Sequence, residues 1–350
     1  MKQIFRLGDH IEVRDVPEPK VTAGFVLVKN HYSLISTGTE TRALKGSFGI
    51  IKKVLRTPKK ILRNVEDKSP LGYSCAGVVL EIGDGVKHVD VGDIVLCCGL
   101  EYAVHAEKVA VPQHLVMRIP RDINPSQAVF APLGSVSLHA LRRGRVTLGE
   151  TAVVVGLGLT GQLLVQLLRL VGCRVIGIDP HDYKAKLAEK HGADFCFCGK
   201  QGFAEKVMEF THGMGADATF LCADVRDTES LEEITRVLRD RGKIIAIGNI
   251  TCPLPWTNFF RKELDLMVSR SFGPGRFDST YEEKGIDYPI GYVRWTERRN
   301  ILEILNLLSM KKIVVDDLVS GEYPLDHAEK AYQSLLGKKR PIALLLTYSI

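Results

Sequence analysis

A small all-β unit followed by a doubly wound parallel α/β sheet is the fold this 350-residue chain predicts, and three observations predict it. Between Ile11 and about Pro120, short β-branched runs are separated by Gly, Asp and Pro turns, the pattern of a small barrel or sandwich. From Pro125 onward, helical periodicity alternates with short apolar runs, which implies a parallel sheet with helices on both faces. At 149–179, an apolar strand passes through a glycine-rich turn into a helix, then into a second strand ending in a carboxylate.

The β unit is read from Phe25–Val28, Ala76–Ile82, Ile94–Cys98, Lys108–Val111 and Leu115–Ile119. It is interrupted by Ile50–Val65, where Lys52, Lys53, Arg56, Lys59, Lys60 and Arg63 alternate with apolar residues at helical spacing around Pro58. Two short helices with a solvated basic face account for this stretch; a flap that draws anions toward a cleft is the alternative. After a helix over Ala128–Arg142, the strand–helix pairs are Ala152–Val155 with 161–171, Arg174–Ile178 with 183–191, Phe195–Phe197 with 203–212, and Ala218–Cys222 with 229–239. Lys243–Gly248 follows as a strand. A loop over 273–297 is too long for a plain connector, and such loops are commonly functional. It is followed by a helix (298–310), a strand, a helix (326–336) and a last strand (342–347).

Ala152–Val155 has the unbroken apolar character of a strand buried on both faces. It enters Gly156-Leu157-Gly158-Leu159-Thr160-Gly161. Glycines there permit the tight turn, the close approach of backbone to a pyrophosphate, and helix-on-strand packing. The helix N-terminus adds unpaired N–H groups and a positive dipole end. Seventeen residues separate Gly161 from Asp179, and a carboxylate at about that distance accepts both ribose hydroxyls and repels a 2′-phosphate. The unit therefore reads as a dinucleotide site favouring NAD(H) over NADP(H), with Lys184 and Lys186 keeping NADP(H) open.

With 45% hydrophobic and 25% charged residues, the composition is that of an ordinary globular protein. No apolar run approaches the ~20 residues of a membrane span, and the polar start MKQIFRLGDHIEVRDV is not a secretory signal. A cytoplasmic protein is expected. Eight cysteines without a CxxC pair or disulfide framework read as small core residues. The net charge of +6 (47 basic minus 41 acidic) lacks any accompanying aromatic stacking pattern, so a nucleic-acid partner is not expected. Neither is a membrane.

The layout, together with VRDVPEP, STGTETRALKG, GYSCAGVVLEIGDGVKHVDVGDIV and VTLGETAVVVGLGLTG, resembles the medium-chain dehydrogenase/reductase superfamily over essentially the whole chain. The resemblance implies a GroES-like β-barrel domain (1–130 and 274–350) and a Rossmann NAD(P)-binding domain (131–273). The stretch between STGTE and LGYSCAGV, and the later YPIGYVRWTERRN, look like a zinc-lacking subgroup. Its members occur alone or joined to a second oxidoreductase module and are associated with sugar and polysaccharide metabolism.

Departures from the family pattern bear on mechanism. The metal thiolate of the zinc enzymes is replaced by Thr37, their Gly-His-Glu reads Gly72-Tyr73-Ser74, and a later ligand position reads Ala131. The four-cysteine structural lobe is missing, because Cys97-Cys98-Gly99 continues directly into Glu101-Tyr102-Ala103. Catalytic zinc needs three N, O or S ligands in fixed geometry, so no metal is expected. An unrelated site from Cys97, Cys98 and His105 is the alternative. Hydrogen-bond donors can replace zinc at a carbonyl oxygen. Tyr73, Thr37, Thr39 and Glu40 are the candidate catalytic residues, with Tyr73 as proton donor or acceptor or as mere filling. Thr39 is a hydroxyl relay or a local turn contact, and Glu40 supports or touches ribose rather than acting as base.

Cofactor contacts implied by the resemblance are Gly156, Gly158, Leu159, Thr160, Gly161, Asp179, Cys222 and Gly248. Tyr288, Tyr292 and Arg294, in the long loop, are candidate substrate contacts for a polar or anionic substrate, Trp295 a junction anchor, and His139 a core or interface histidine. The expected activity is zinc-independent hydride transfer between NAD(H) and a secondary alcohol or ketone of a sugar, sugar acid or sugar nucleotide. An NADPH-dependent quinone or enoyl reductase and a non-catalytic dinucleotide-binding protein are the rivals. A homodimer or homotetramer joined through Rossmann edge strands, with Ile244–Ile250 and the following segment as the seam, is also implied.

Overall fold

The computed structural model describes residues 1–8, 10–44, 68–199, 201–337 and 340–349. The basic stretch at 50–65, with its proposed flap, lies outside the described residues. The chain forms two units: Met1–Ala131 with Phe277–Tyr292 and Val315–Ile350, and Pro132–Arg276 with Val293–Val314.

The first unit begins with β1 (Lys2–Leu7), β2 (His10–Asp15), β3 (Phe25–Ser36), α1 (Thr37–Leu44), β4 (Lys68–Pro70), β5 (Ser74–Ile82), β6 (Ile94–Cys98), β7 (Lys108–Pro112), β8 (Val116–Arg118) and α2 (Pro125–Ala128). β3 is the organising strand. Its first half pairs with β7 and Val26–Ser33 with β5, all antiparallel. The polar residues Asn30, Ser33 and Ser36 are buried on it, which is why its second half lacks the apolar run that would have announced it. Burial is tolerated where partners exist: the Asn30 amide donates to the Ala106 carbonyl at 2.7 Å. β3 then runs directly into α1, so the strand's register fixes where Thr37, Thr39 and Glu40 stand.

The second unit follows as α3 (Ala131–Gly144), β9 (Thr151–Val155), α4 (Leu159–Leu170), β10 (Arg174–Asp179), α5 (Asp182–Lys190), β11 (Phe195–Cys198), α6 (Phe203–Phe210), β12 (Ala216–Leu221), α7 (Thr228–Arg236), β13 (Leu238–Ala246), α8 (Trp256–Lys262) and β14 (Asp265–Val268). The strands form one sheet in the order β11-β10-β9-β12-β13-β14, parallel throughout. The order reverses at β9, where ligands bind in open α/β sheets, outside the strands' carboxyl ends. Val153, Ile176, Leu221 and Ile244 from four strands form its core with Leu231 and Ile234 of α7. Each such buried side chain contributes about 1.5–3 kcal/mol.

Neither α8 nor β14 carries an apolar run that separates it from a loop. Leu266 and Val268 are exposed on β14, as are Trp256 and Phe260 on α8. Of the expected seam, Ile244 and Ile245 are buried on the interior strand β13, and β14, in the segment that follows, is one edge of the sheet, with β11 the other.

Beyond these come α9 (Ser279–Glu282), α10 (Glu297–Ser309), β15 (Val319–Pro324), α11 (Ala328–Leu335) and β16 (Ala343–Thr347). α10 belongs to the second unit, whereas the sequence placed all of 274–350 with the first. Its Ile304 packs against Gly134 of α3 so closely that a Cβ there would stand 2.8 Å from it. β16 returns to pair antiparallel with β3, and β15 pairs parallel with β16. Ile4, Ile35, Leu344 and Leu346 pack with Ala328, Ala331 and Leu335 of α11. Among the described residues no helix is long and apolar enough to cross a membrane.

Candidate active site

The second unit builds the glycine turn as the spacing requires. Gly156 leaves β9 at a φ of +94° and donates its N–H to the Ile178 carbonyl at 2.8 Å. A Cβ at Gly161 would lie 2.0 Å from the Gly156 carbonyl oxygen, so α4 could not pack onto the turn with any side chain there. A Cβ at Gly158 would meet nothing within 4 Å; this is the open face, at the start of α4, that a phosphate can approach. Leu159 is buried behind it, and the Thr160 carbonyl accepts from Ser137.

Asp179 ends β10 and closes the turn. Its Oδ2 accepts the Leu157 N–H at 2.9 Å, and its Oδ1 accepts both the backbone N–H of His181 at 3.0 Å and, at 2.8 Å, the His181 ring at Nδ1. Of about four acceptor positions on a carboxylate, three are taken from within the chain. The carboxylate thus retains one place, on Oδ2, for a ribose hydroxyl where two were expected. Of the nearby cations, Lys186 pairs with Asp182 at 2.7 Å, and Lys184 is buried. Cys222 and Gly248 lie just past β12 and β13. The Cys222 N–H donates to Val155, and burial pushes its thiol up to about 12. Gly248 abuts the Ala223 carbonyl.

In the first unit, Glu40 of α1 is buried. Tyr332 of α11 donates its hydroxyl to Glu40 Oε2, the Ser36 N–H reaches Oε1 at 3.3 Å, and His105 Nε2 lies 3.4 Å from both oxygens. On the other side of the ring, His105 Nδ1 is 2.7 Å from Ser33 Oγ, which is 2.7 Å from the Tyr348 hydroxyl. Burial, then the Glu40 charge and hydrogen bond, then the nearby Tyr348 and Tyr73 hold the Tyr332 hydroxyl well above the usual phenol range. Burial also raises Tyr348. Gly72, at a φ of +96°, makes room for the His105 ring: a Cβ would come within 2.7–2.9 Å of its N, Cγ and Cδ2. Tyr73 follows directly and is buried.

Glu40 is therefore a buried acceptor held by His105 and Tyr332. Ser33, Tyr332 and Tyr348 are functional candidates that sequence reasoning missed, and His105 was named only as a ligand of the alternative metal site. No local pattern marks them; only the polar residues inside β3 hint that something there must satisfy them. The alternative metal site does not assemble: His105 is engaged with Ser33 and Glu40, and Cys97, its thiol raised by burial, hydrogen bonds with Cys75.

The residues at the superfamily's zinc positions do not fit zinc. The Thr37 hydroxyl is committed to the Pro341 and Ile342 carbonyls at 2.7 and 3.0 Å, Tyr73 offers a buried phenol, and Ala131 has no donor. Among the described residues no three His, Cys, Asp or Glu side chains could hold a metal ion. Thr39 is half-buried at the start of α1.

The long loop divides between the units. Tyr288 donates to Asp278 and stacks on buried Tyr281 at 5.4 Å, a packing role where a substrate contact was expected. Tyr292 is 91% exposed. In the second unit, the guanidiniums of Arg142 and Arg294 lie 3.4 and 3.8 Å from the Trp295 ring centroid. Two guanidiniums so close to one centroid must occupy opposite faces of the indole. Trp295 is thus a cation–π platform, where a junction anchor was expected.

His139 of α3 is lowered to about 4 by burial, then by Arg143, Arg142 and Arg270. An unfolded histidine titrates near 6.5. Stability is therefore full above pH 6.5 and falls as pH drops toward 4, by about 1–2 kcal/mol after allowing for solvent screening. Urea unfolding at about pH 7.5 and about pH 5 should show a shallower loss for His139→Gln than for the parent chain; equal losses would refute this.

Residues 160–284 match the zinc-binding dehydrogenase family. The chain is 27% identical to 2-dehydro-3-deoxy-L-galactonate 5-dehydrogenase of Pseudoalteromonas atlantica over 61% of its length and 70% of that protein. It is 23% identical to sorbitol dehydrogenase of Halalkalibacterium halodurans, covering 97% of this chain and 96% of the other. An alcohol dehydrogenase of Thermus sp. ATN1 shares the fold over the full length of both chains, with a TM-score of 0.79 at 18% identity. With a parallel sheet in the order 3-2-1-4-5-6, a glycine turn closed by a carboxylate and a separate β unit, these matches identify the chain as a member of the medium-chain dehydrogenase/reductase superfamily of oxidoreductases.

Proposed function

We propose that this protein is a zinc-independent, NAD(H)-dependent oxidoreductase that moves hydride between nicotinamide and a secondary alcohol or ketone of a sugar-like substrate. The observation that carries the reading is Asp179, a carboxylate built into the turn it closes, with one acceptor position left on Oδ2. A negative charge fixed there disfavours a 2′-phosphate. The cofactor, when bound, supplies the hydride acceptor or donor. Gly156, Gly158, Leu159, Thr160 and Gly161 would cradle its pyrophosphate, Asp179 its ribose, and Cys222 and Gly248 would flank it. Proton handling falls to the first unit, where Tyr73, Tyr332 and Glu40 lie close together. The sugar-like substrate is supported by relatives named for a deoxy sugar acid and for sorbitol. The donor set at 37, 73 and 131 supports a reaction without zinc, within the zinc-lacking subgroup.

Nicotinamide and tryptophan fluorescence during titration with NADH and NADPH, with and without EDTA, tests this directly. NADH should bind at least about tenfold more tightly than NADPH, equally well in EDTA, and Asp179→Asn should erase most of that preference, worth about 1.4 kcal/mol. A preference for NADPH would overturn the assignment in favour of the double-bond reductase. Binding of neither nucleotide would exclude both.

The exposed β14 edge, with Leu266 and Val268 and the neighbouring Trp256 and Phe260, fits a second copy of the chain better than solvent. Val268→Lys should shift a homodimer toward monomer in size-exclusion chromatography with light scattering; a parent chain already monomeric refutes the interface.

A further inference from the structure

The second unit holds two guanidiniums against one indole, and no carboxylate pairs with either. Arg142 of α3 is half-buried and Arg294 is exposed. They lie 3.4 and 3.8 Å from the Trp295 ring centroid, on its two faces. All three residues belong to this unit. Among the described residues Arg142, its neighbour Arg143 and Arg294 make no ion pair. Arg142 gives one hydrogen bond, from Nη1 to the side-chain oxygen of Asn300, a neutral acceptor. Glu303, on the same helix as Asn300, acts on Arg142 from beyond ion-pair distance.

Stacking on the indole does not account for this arrangement. One guanidinium on one face suffices for a cation–π contact. A second brings a like charge no further away than the two centroid distances together allow, and Arg294 has solvent open to it as an alternative. Burial lowers Arg142 to about 10, with Glu303 opposing the fall and Arg294 adding to it. His139, about one turn earlier on α3, stands in the same field: burial, then Arg143, Arg142 and Arg270, keep its ring uncharged down to about 4. An anion among the guanidiniums offsets both the burial and the repulsion. A guanidinium this close to a ring lies flat against it, so its N–H groups point past the rim, in the fork that suits an oxyanion. The oxygens of a tetrahedral anion at the rim of Trp295 then face N–H groups from above and below.

We propose that Arg142 and Arg294, spaced by Trp295, form a binding site for a doubly charged phosphate group, free or carried on a small molecule. Near pH 7 such a group carries close to two negative charges, which matches two guanidiniums; a carboxylate carries one. The donors are the N–H groups of Arg142 that Asn300 leaves over and those of Arg294. Arg143, exposed at the next position of α3, adds to the attraction. None of the residues assigned to the nucleotide belongs to this site, so it stands or falls apart from the hydride-transfer reading.

Trp295 reports on its own site. The chain has two tryptophans, so Trp256→Phe leaves Trp295 as the single emitter in the full chain. Inorganic phosphate and glucose 6-phosphate are titrated at constant ionic strength, with glucose and sodium chloride as controls, and the titrations are repeated by calorimetry. Phosphate should change the Trp295 emission along a saturable curve, and Arg294→Gln should weaken its binding by about tenfold or more. Arg142→Gln should do the same. Arg294 is exposed, so its variant keeps the proposal testable should Arg142→Gln fail to fold. Tighter binding of glucose 6-phosphate than of phosphate supports a site for a phosphorylated small molecule; equal or weaker binding supports a site for the free ion. A response that never saturates, an equal response to glucose or sodium chloride, or no binding by either method overturns the proposal. Parent-like affinity in Arg294→Gln overturns it as well.

Discussion

Gly161→Val is expected to abolish dinucleotide binding. The added Cβ would lie 2.0 Å from the Gly156 carbonyl oxygen, a backbone atom that cannot rotate away as a side chain can. Either α4 lifts from the turn or the turn opens, and in both cases the N–H groups at the helix start lose their aim. An NADH titration should show a loss of at least about 100-fold, or about 2.8 kcal/mol, with some loss of thermal stability. Gly158→Ala is the informative companion, because its Cβ would meet nothing within 4 Å. It should leave stability unchanged and weaken NADH binding by crowding the open face. Parent-like affinity in Gly161→Val would mean that the nucleotide binds elsewhere.

Glu40→Ala should be the most destabilising single change in the first unit. It removes the acceptor of the Tyr332 hydroxyl and of His105 Nε2, both buried, and leaves a void beneath α1. Stranding buried donors in this way costs about 3 kcal/mol, a large part of a domain's total stability. Glu40→Gln keeps an acceptor for Tyr332 and should cost about 1 kcal/mol. Denaturant midpoints at constant slope would measure both. An alanine variant within about 0.5 kcal/mol of the parent would mean that the cluster contributes little to holding α11 against α1.

The two predictions differ in how far their residues could be read from the chain. Gly161 and Gly156 are five positions apart, and Asp179 is on the next strand. Strand, turn and helix are local, so spacing alone carries the geometry, and the observed elements depart from the expected ones by only a few residues. Glu40 was visible as a candidate, but its surroundings were not. Tyr332 lies 292 positions away, and Ser33 meets Tyr348 across 315. Such contacts leave no periodic trace. The second half of β3 was missed because its buried Asn30 and Ser33 break the apolar pattern, and β14 because an exposed edge needs none.

By itself the sequence determined the two-part architecture, the dinucleotide turn, the loss of the zinc donors and the carboxylate that ends β10. All of these are set by residue type at short range, where burial and backbone sterics act on neighbours in the chain. Only the tertiary structure decided that Asp179 spends most of its acceptor capacity on its own turn and that Tyr288 packs on Tyr281. It also decided that Glu40 closes a buried line of hydrogen bonds to Tyr348. A buried polar group is stable only when partners converge on it, and here those partners come from β3, α11, β16 and its flank, and the loop at His105, which meet only once the β unit has closed.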